Sequence, residues 1–273
     1  MSTYRADPKQ GVAWITGGST GIGRSVARLL ARQGYTVAVT VRPNDPIDTL
    51  IAETEGMAGR VLSFPSDVTD EAGMANAVAA IEAQAGPIVL AIFNAGAYLP
   101  VRGDNLIIAP FRQSFDVNVF GVLNGLLPVI ERMRNRGRGH VVFMGSISAY
   151  FGWPTTAAYG ATKAAINIIA QSLKFDFDKM NIRVQVMNPG FIDTPLTEKA
   201  QFSMPAMMPV EKAAERICKA IRSGGFEVTF PRRLTWGMKL LALLPRPLRE
   251  TALRASTRWK AEPLVYPRRS TFD

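Results

Sequence analysis

The sequence has little of the chemistry that disulfides and metal centres need. Its 273 residues include one cysteine, Cys218, and one histidine, His140. A single cysteine cannot form an intramolecular disulfide, and it fits a reducing compartment. His140 stands at the start of an apolar run, where a histidine is most often structural. We therefore expect no metal site.

Long hydrophobic runs are also missing. No stretch reaches the roughly 18 apolar residues that a membrane-spanning helix needs. Residues 1–10 lack the apolar core of a secretion signal, so we expect a cytoplasmic protein. Apolar residues make up 47% of the chain and charged residues 20%, as in an ordinary globular protein. The length suits one large domain.

Positive charge is concentrated at the C-terminal end. The net charge is +10, and residues 231–273 contribute +7 of it, with ten Lys or Arg against three acids. The first 230 residues are nearly neutral, so we expect no nucleic-acid partner. The pattern predicts a domain over residues 1–230 and a basic C-terminal extension over residues 231–273.

Short apolar runs alternate with segments of helical periodicity. This order predicts parallel βαβ units in an α/β fold, a Rossmann-type doubly wound sheet. The runs are apolar throughout, which is typical of strands covered by helices on both faces. Predicted strands cover residues 12–15, 36–41, 61–64, 88–93, 141–144 and 183–187, and predicted helices cover 22–30, 72–84, 111–133 and 157–178.

A glycine-rich turn joins the first strand to the first helix. It runs Thr16-Gly-Gly-Ser-Thr-Gly-Ile-Gly23, with the spacing G-x-x-x-G-x-G. Glycines there allow the backbone to approach a pyrophosphate, and the amides of the following helix N-terminus point at it. The turn therefore predicts a dinucleotide site.

Tyr159 and Lys163 lie one helical turn apart, so they share one helix face. Ser146 stands thirteen positions before Tyr159, at the end of a predicted strand. Ligands bind at the carboxyl ends of strands in an open α/β sheet. A serine that holds a carbonyl against a tyrosine, with a lysine beside it, predicts hydride-transfer chemistry.

Together these motifs resemble the short-chain dehydrogenase/reductase family, over about residues 10–230. The resemblance implies an NAD(P)-dependent enzyme that interconverts carbonyls and alcohols, and we expect a homodimer or homotetramer. The implied catalytic residues are Asn118, Ser146, Tyr159 and Lys163. The implied cofactor-binding residues are Gly17, Ser19, Thr20, Gly21, Ile22, Gly23, Arg42, Asp67, Val68, Asn94, Ala95, Gly96, Tyr159, Lys163, Pro189, Gly190, Ile192 and Thr194.

The resemblance also implies a role for each catalytic residue. Tyr159 acts as acid in reduction and as base in oxidation. The ammonium of Lys163 lowers the pKa of Tyr159 from its ordinary value of about 10. The same ammonium binds the nicotinamide ribose. Ser146 holds and polarises the substrate oxygen, and Asn118 anchors a water in the proton relay.

The end of the second predicted strand decides between NAD(H) and NADP(H). NAD-dependent enzymes place an acid there for the ribose 2′-hydroxyl. Here Val41 takes that position and Arg42 follows. An arginine can clamp a 2′-phosphate, so we expect NADP(H), although Thr20 stands where related NADP enzymes often have a second basic residue.

The sequence leaves alternatives open for the class of substrate and for the role of the C-terminal extension. Candidate lining residues are Tyr98, Leu99, Tyr150, Phe151, Trp153 and the Met-rich segment 202–209. They favour an apolar acyl, sterol-like or aromatic substrate, and a self-packed segment is the alternative. The Trp/Leu-rich start of the extension could contact an anionic membrane, a second subunit or the substrate pocket. A non-catalytic nucleotide sensor on the same fold is the alternative function.

Overall fold

One parallel β-sheet organises the chain. The computed structural model describes residues 4–199, 204 and 206–257. Within them, seven strands pair in the order β3-β2-β1-β4-β5-β6-β7, and every neighbouring pair is parallel. The strands are Val12–Thr16 (β1), Thr36–Thr40 (β2), Arg60–Ser63 (β3), Ile88–Phe93 (β4), Gly139–Met144 (β5), Ile182–Pro189 (β6) and Glu227–Phe230 (β7).

Helices cover both faces of this sheet. In the described residues they are Gly21–Arg32 (α1), Asp48–Thr54 (α2), Glu71–Gln84 (α3), Ala109–Phe115 (α4), Gly121–Arg136 (α5), Ala157–Lys179 (α6), Val210–Ser223 (α7), Arg232–Leu243 (α8) and Arg246–Thr257 (α9). The predicted doubly wound Rossmann-type fold is therefore confirmed.

Side-chain alternation along β1 shows how the strands are buried on two sides. Ala13 and Ile15 belong to the core beneath α1 and α7. Val12 and Trp14 belong to the opposite core, beneath α3, α5 and α6. Consecutive strand residues point to opposite faces, so a strand buried on both faces must be apolar at every position. This explains the uninterrupted apolar runs of the sequence.

The helix predicted over residues 111–133 is longer and interrupted. It begins at Ala109 and ends at Arg136, and a π-helical turn over Asp116–Phe120 separates α4 from α5. A π-turn inserts one extra residue, which rotates the side chains that follow it, and such turns are frequent at functional sites. Sequence periodicity did not reveal the interruption.

His140 is structural, as expected. It lies in the middle of the sheet on β5, fully buried, with Nε2 2.9 Å from the side-chain oxygen of Gln185 on β6. Burial, reinforced by the charge of nearby Arg183, lowers the pKa of His140 to about 3. The imidazole is therefore neutral at physiological pH.

The first of the two C-terminal helices, α8, packs on the last strand. α8 starts directly after β7, and its Thr235 is fully buried with its hydroxyl donating to Thr229 of β7 at 2.9 Å. The opposite face of α8 carries large apolar side chains exposed to solvent, among them Trp236, Leu240 and Leu243. Among the described residues, no helix combines the length and apolarity required to cross a bilayer. The rest of the predicted extension, residues 258–273, lies outside the described residues.

Candidate active site

A cleft of about 1220 Å³ opens along the carboxyl edge of the sheet. The segments that follow β1 to β6 form its walls, because parallel strands deliver their carboxyl ends to one edge. Most of the predicted site residues line it: Gly17, Ser19, Thr20, Gly21, Ile22, Arg42, Asp67, Val68, Asn94, Ala95, Gly96, Tyr159, Lys163, Pro189 and Thr194.

The remaining predicted residues lie just outside this lining, and Ser146 among them is hydrogen-bonded to Tyr159. Gly23, Asn118, Ser146, Gly190 and Ile192 do not line the cleft. Gly190 donates its backbone N–H to the carbonyl of Phe230 at 2.7 Å, and Ile192 is buried in a bridge to Met208. These two residues hold the segment after β6 in place.

The glycine turn is packed so tightly that side chains are excluded. Gly17 has φ +70°, and a Cβ there would lie 2.7 Å from the Cα of Ala95. A Cβ on Gly23 would lie 2.2 Å from the carbonyl oxygen of Gly17. The side chain of Thr20 does not cap α1, so the first amides of that helix remain directed at the cleft. This cradle fits the phosphates of a dinucleotide.

Asn94 ties the ends of two strands together at the cleft floor. Its side-chain amide donates to the carbonyls of Thr16 at 3.2 Å and Gly17 at 2.7 Å. The backbone N–H groups of Asn94 and Ala95 both donate to the hydroxyl of Thr16, at 3.1 and 3.2 Å. The glycine turn is therefore fixed to the end of β4.

Two carboxylates mark the cleft end nearest β2 and β3. Asp67 accepts from the backbone N–H and the hydroxyl of Thr69, at 2.9 and 2.8 Å. Arg42 is largely exposed and donates to both carboxylate oxygens of Asp45, at 2.8 and 3.3 Å. Arg42 is therefore held at the rim of the cleft by an acid that the sequence did not single out.

The Tyr159 ring and the Ser146 hydroxyl meet at the other end. Ser146 stands two residues after the end of β5, and its hydroxyl oxygen accepts from the backbone N–H of Ser148 at 3.1 Å. The ring of Tyr98 packs edge-on against Tyr159, with 5.3 Å between the centroids. Tyr98 is itself fixed by a 2.9 Å hydrogen bond between its hydroxyl and that of Thr155. Tyr159 is thus clamped from two sides.

Lys163 is buried one turn further along α6. Only 5% of the residue is exposed, and Nζ donates to the backbone carbonyl of Met144 at 2.8 Å. Nζ lies 5.6 Å from the centroid of the Tyr159 ring. The ammonium thus faces the end of β5 and the tyrosine together.

Burial dominates the pKa values of this pair. It raises the pKa of Tyr159 to about 12, against the opposing hydrogen bond from Ser146. It lowers the pKa of Lys163 to about 8. The sequence predicted instead that Lys163 would lower the tyrosine pKa, and for this state that prediction is wrong. Desolvation of the phenol outweighs the hydrogen bond from Ser146 that favours the phenolate.

The side-chain oxygen and both amide hydrogens of Asn118 are hydrogen-bonded to protein. Within the π-turn, its oxygen accepts from the N–H of Ala97 at 2.7 Å. Its amide donates to the carbonyl of Ala97 at 2.9 Å and to the hydroxyl of Thr162 at 3.0 Å. The residue joins the loop after β4 to helix α6, so it positions the Tyr159 helix.

The expected substrate-side residues separate into two groups. Tyr98 and Leu99 line the cleft, whereas Tyr150, Phe151 and Trp153 do not. Their segment contacts β7 and α9 instead, because Tyr150 donates to Glu227 of β7 at 2.6 Å and Arg249 of α9 lies over the Phe151 ring. Of the predicted Met-rich segment, residues 202, 203 and 205 lie outside the described residues.

Sequence reasoning missed Asp45, Arg112 and Glu227. Asp45 and Arg112 line the cleft, and Glu227 holds Tyr150. An opposite charge close in sequence to Arg42 was the only signal for Asp45. Nothing in the sequence pairs Glu227 with Tyr150, because the two residues are far apart in the chain.

Comparisons with known proteins agree with this geometry. Residues 11–204 match the family model described as short chain dehydrogenase. An uncharacterised oxidoreductase of Myxococcus xanthus is 33% identical over 242 residues, which cover 89% of this chain and 96% of that protein. An NADP-dependent (R)-specific alcohol dehydrogenase of Lentilactobacillus kefiri is 32% identical, covering 68% of this chain and 75% of that protein.

A solved structure gives the same result. A short-chain dehydrogenase from Burkholderia cenocepacia in complex with NADP has a TM-score of 0.73 and 26% identity, covering 90% of this chain and 96% of that chain. The chain belongs to the short-chain dehydrogenase/reductase family. It is a nicotinamide-dependent oxidoreductase that acts on CH–OH groups.

Proposed function

We propose that the protein is an NADP(H)-dependent carbonyl reductase for apolar substrates. The observation that carries the proposal is the meeting of Ser146, Tyr159 and Lys163 beside a glycine turn in which side chains at Gly17 and Gly23 are excluded. When bound, the nicotinamide supplies or accepts the hydride. A nucleotide sensor on this fold would have no use for the buried tyrosine–lysine pair.

Each side chain has a distinct role in this proposal. The hydroxyl of Ser146 donates to the substrate oxygen and holds it beside Tyr159. The phenol of Tyr159 delivers its proton to that oxygen in reduction. Lys163 exchanges its bond to the Met144 carbonyl for the nicotinamide ribose and, as a cation, stabilises the phenolate that remains. Asn118 acts through Ala97 and Thr162 as a positioning residue.

The pKa values favour reduction at neutral pH. A tyrosine with a pKa of about 12 is protonated at pH 7, which is the form that reduction requires. Oxidation requires the phenolate, which becomes abundant only in alkaline solution. Lys163, with a pKa of about 8, is mostly charged at pH 7 and loses its charge as the pH rises.

Arg42 supports NADP(H) as the cofactor. Its guanidinium stands at the rim of the cleft, and the preceding Val41 offers no carboxylate to a ribose 2′-hydroxyl. Asp45 holds Arg42 and competes with a 2′-phosphate for it. The Lentilactobacillus relative is NADP-dependent by name, and the Burkholderia structure is a complex with NADP.

Exposed apolar side chains at the cleft mouth support an apolar substrate. Ile108 lines the cleft although 61% of it is exposed, and its neighbours Leu106 and Ile107 are exposed as well. Tyr98 and Leu99 continue this apolar wall inward toward Tyr159. Such side chains gain stability when an acyl chain or ring covers them.

An apolar face on α5 and α6 supports a homo-oligomer. Phe120, the last residue of the π-turn, and Leu127 of α5 are exposed seven residues apart, and so are Ile168 and Phe175 of α6. Residues at that spacing share a helix face. Members of this family typically form oligomers, and we infer that a second copy covers these two stripes.

A second exposed face lies on α8. Trp236, Leu240 and Leu243 share it with Arg232 and Arg233 of the first turn. An apolar stripe with adjacent arginines matches an anionic membrane surface. We infer a reversible, peripheral contact there, with a subunit interface as the competing interpretation.

Removal of the Tyr159 hydroxyl tests the mechanism. Tyr159→Phe should lower the turnover number by about 10² or more and leave the dissociation constant of NADPH nearly unchanged. In the wild type, reduction should be constant around neutral pH and decline as the pH rises through about 8, where Lys163 loses its proton. Steady-state rates measured from neutral to alkaline pH check this. Comparable turnover in the variant would remove Tyr159 from the mechanism.

Arg42 and Asp45 form a matched pair for cofactor choice. Arg42→Ala should weaken NADPH binding by about tenfold, because a hydrogen bond to a charged group contributes about 1.5–3 kcal/mol and exposure reduces that contribution. Asp45→Asn should tighten NADPH, since the guanidinium loses its competitor. Calorimetric titration with NADPH and NADH measures both. A wild type that prefers NADH, or equal losses for both cofactors, would contradict the assignment.

A homologous ketone series tests the apolar wall. The ratio kcat/KM should rise by up to about fourfold per methylene, since each buried methylene contributes about 0.8 kcal/mol, and then level off. Ile108→Ser should reduce the rate for long ketones and leave the rate for the shortest ketone nearly unchanged. A preference of the wild type for sugars or small hydroxy acids would refute the apolar assignment.

Two matched substitutions distinguish the roles of the two exposed apolar faces. Phe175→Asp should reduce the molar mass measured by light scattering and leave binding to phosphatidylserine vesicles intact. Trp236→Asp should leave the mass unchanged and weaken vesicle co-sedimentation, which salt should also weaken by screening. If Trp236→Asp instead dissociates the oligomer and the wild type ignores vesicles, the α8 face is a subunit interface.

A further inference from the structure

One half-buried carboxylate joins the C-terminal helices to the catalytic segments. The Oε1 atom of Glu227, on β7, accepts from the hydroxyl of Tyr150 at 2.6 Å and from the side-chain amide of Asn188 at 2.9 Å. Its Oε2 atom accepts from Nζ of Lys239 on α8 at 2.6 Å. Both oxygens are therefore engaged, by three different segments of the chain.

The hydrogen bonds continue from this carboxylate to the tyrosine–lysine helix. Asn188 donates to the side-chain oxygen of Asn167 at 2.8 Å, and Asn167 donates to the backbone carbonyl of Lys163 at 2.8 Å. Asn188 lies near the end of β6, immediately before Pro189. The chain Lys239–Glu227–Asn188–Asn167 thus reaches the turn of α6 that carries Lys163.

The same carboxylate also reaches the serine segment. Tyr150 follows Ser146 by four residues, and Lys239 lies 5.8 Å from the centroid of its ring. The next residues stack behind it, with 5.5 Å between the ring centroids of Phe151 and Trp153 and Arg249 of α9 over Phe151. The helices α8 and α9 therefore form the support on which the segment after Ser146 rests.

We propose that Glu227 and Lys239 are positioning residues that set the Ser146 segment against the tyrosine–lysine helix, so that α8 is part of the catalytic unit. The proposal rests on the proposed function for its effect on turnover. A half-buried carboxylate needs its cationic partner, because a charge left unpaired there draws in water or a proton and moves its neighbours. Small displacements of catalytic groups have large effects on rate.

The experiment compares Lys239→Met, Lys239→Arg and the control Lys179→Met, which breaks an exposed ion pair with Asp176 elsewhere on the surface. Turnover is expressed per cofactor-binding site, so that partial unfolding does not count as lost activity. Lys239→Met should lower turnover by about tenfold or more while the NADPH dissociation constant stays unchanged. Lys239→Arg should restore most of the rate, and Lys179→Met should behave as the wild type.

A double variant identifies the unpaired carboxylate as the cause. Glu227→Gln combined with Lys239→Met should be more active than Lys239→Met alone, because the amide keeps an acceptor for Tyr150 and carries no charge. A merely structural role would instead make the double variant at least as impaired as either single variant.

Hydrogen exchange measured by mass spectrometry gives a readout independent of activity. Lys239→Met should speed exchange in residues 146–153 and leave the glycine turn at residues 17–23 unchanged. Faster exchange there supports the positioning role even if no carbonyl substrate is turned over, which would count against the proposed function alone. Unchanged exchange in residues 146–153, or unchanged turnover per site, would overturn the inference.

Discussion

Because the strands all run parallel, the segments that leave β1, β4, β5 and β6 emerge at one edge of the sheet. That edge brings together the glycine turn, Asn94, Ser146 and Pro189 from distant parts of the sequence. Hydrogen bonds from Asn94 to the carbonyls of Thr16 and Gly17 then fix two of these segments to each other. The cofactor cradle and the catalytic groups are consequences of this shared edge.

Local patterns made much of this predictable from the sequence. Strand β1 had to be apolar from Val12 to Ile15, and the turn after it had to contain glycine where a Cβ would meet backbone, as at Gly17 and Gly23. Tyr159 and Lys163 share a helix face by their spacing alone. These features depend on residues that are close together in the chain, so they can be predicted from a single sequence.

Features that depend on distant partners were not predictable. The bonds of Asn118 to Ala97 and Thr162, and the contact of Tyr150 with Glu227, arise only when the tertiary fold brings those residues together. The predicted direction of the Tyr159 pKa shift was wrong for a related reason. Sequence spacing places the Lys163 charge near Tyr159, but only the fold shows that both groups are desolvated, and desolvation reverses the expected direction. The rotation introduced by the π-turn is equally invisible to periodicity.

Transfer of deuterium from labelled NADPH to a ketone tests most directly whether the protein is a carbonyl reductase. The protein is incubated with an apolar ketone and NADPH deuterated at one or the other C4 position, and the alcohol is analysed by mass spectrometry. The account predicts one deuterium on the carbinol carbon from one of the two labelled cofactors, at near-neutral pH. Tight NADPH binding without any labelled alcohol, across ketones of increasing length, would contradict it and favour a nucleotide sensor.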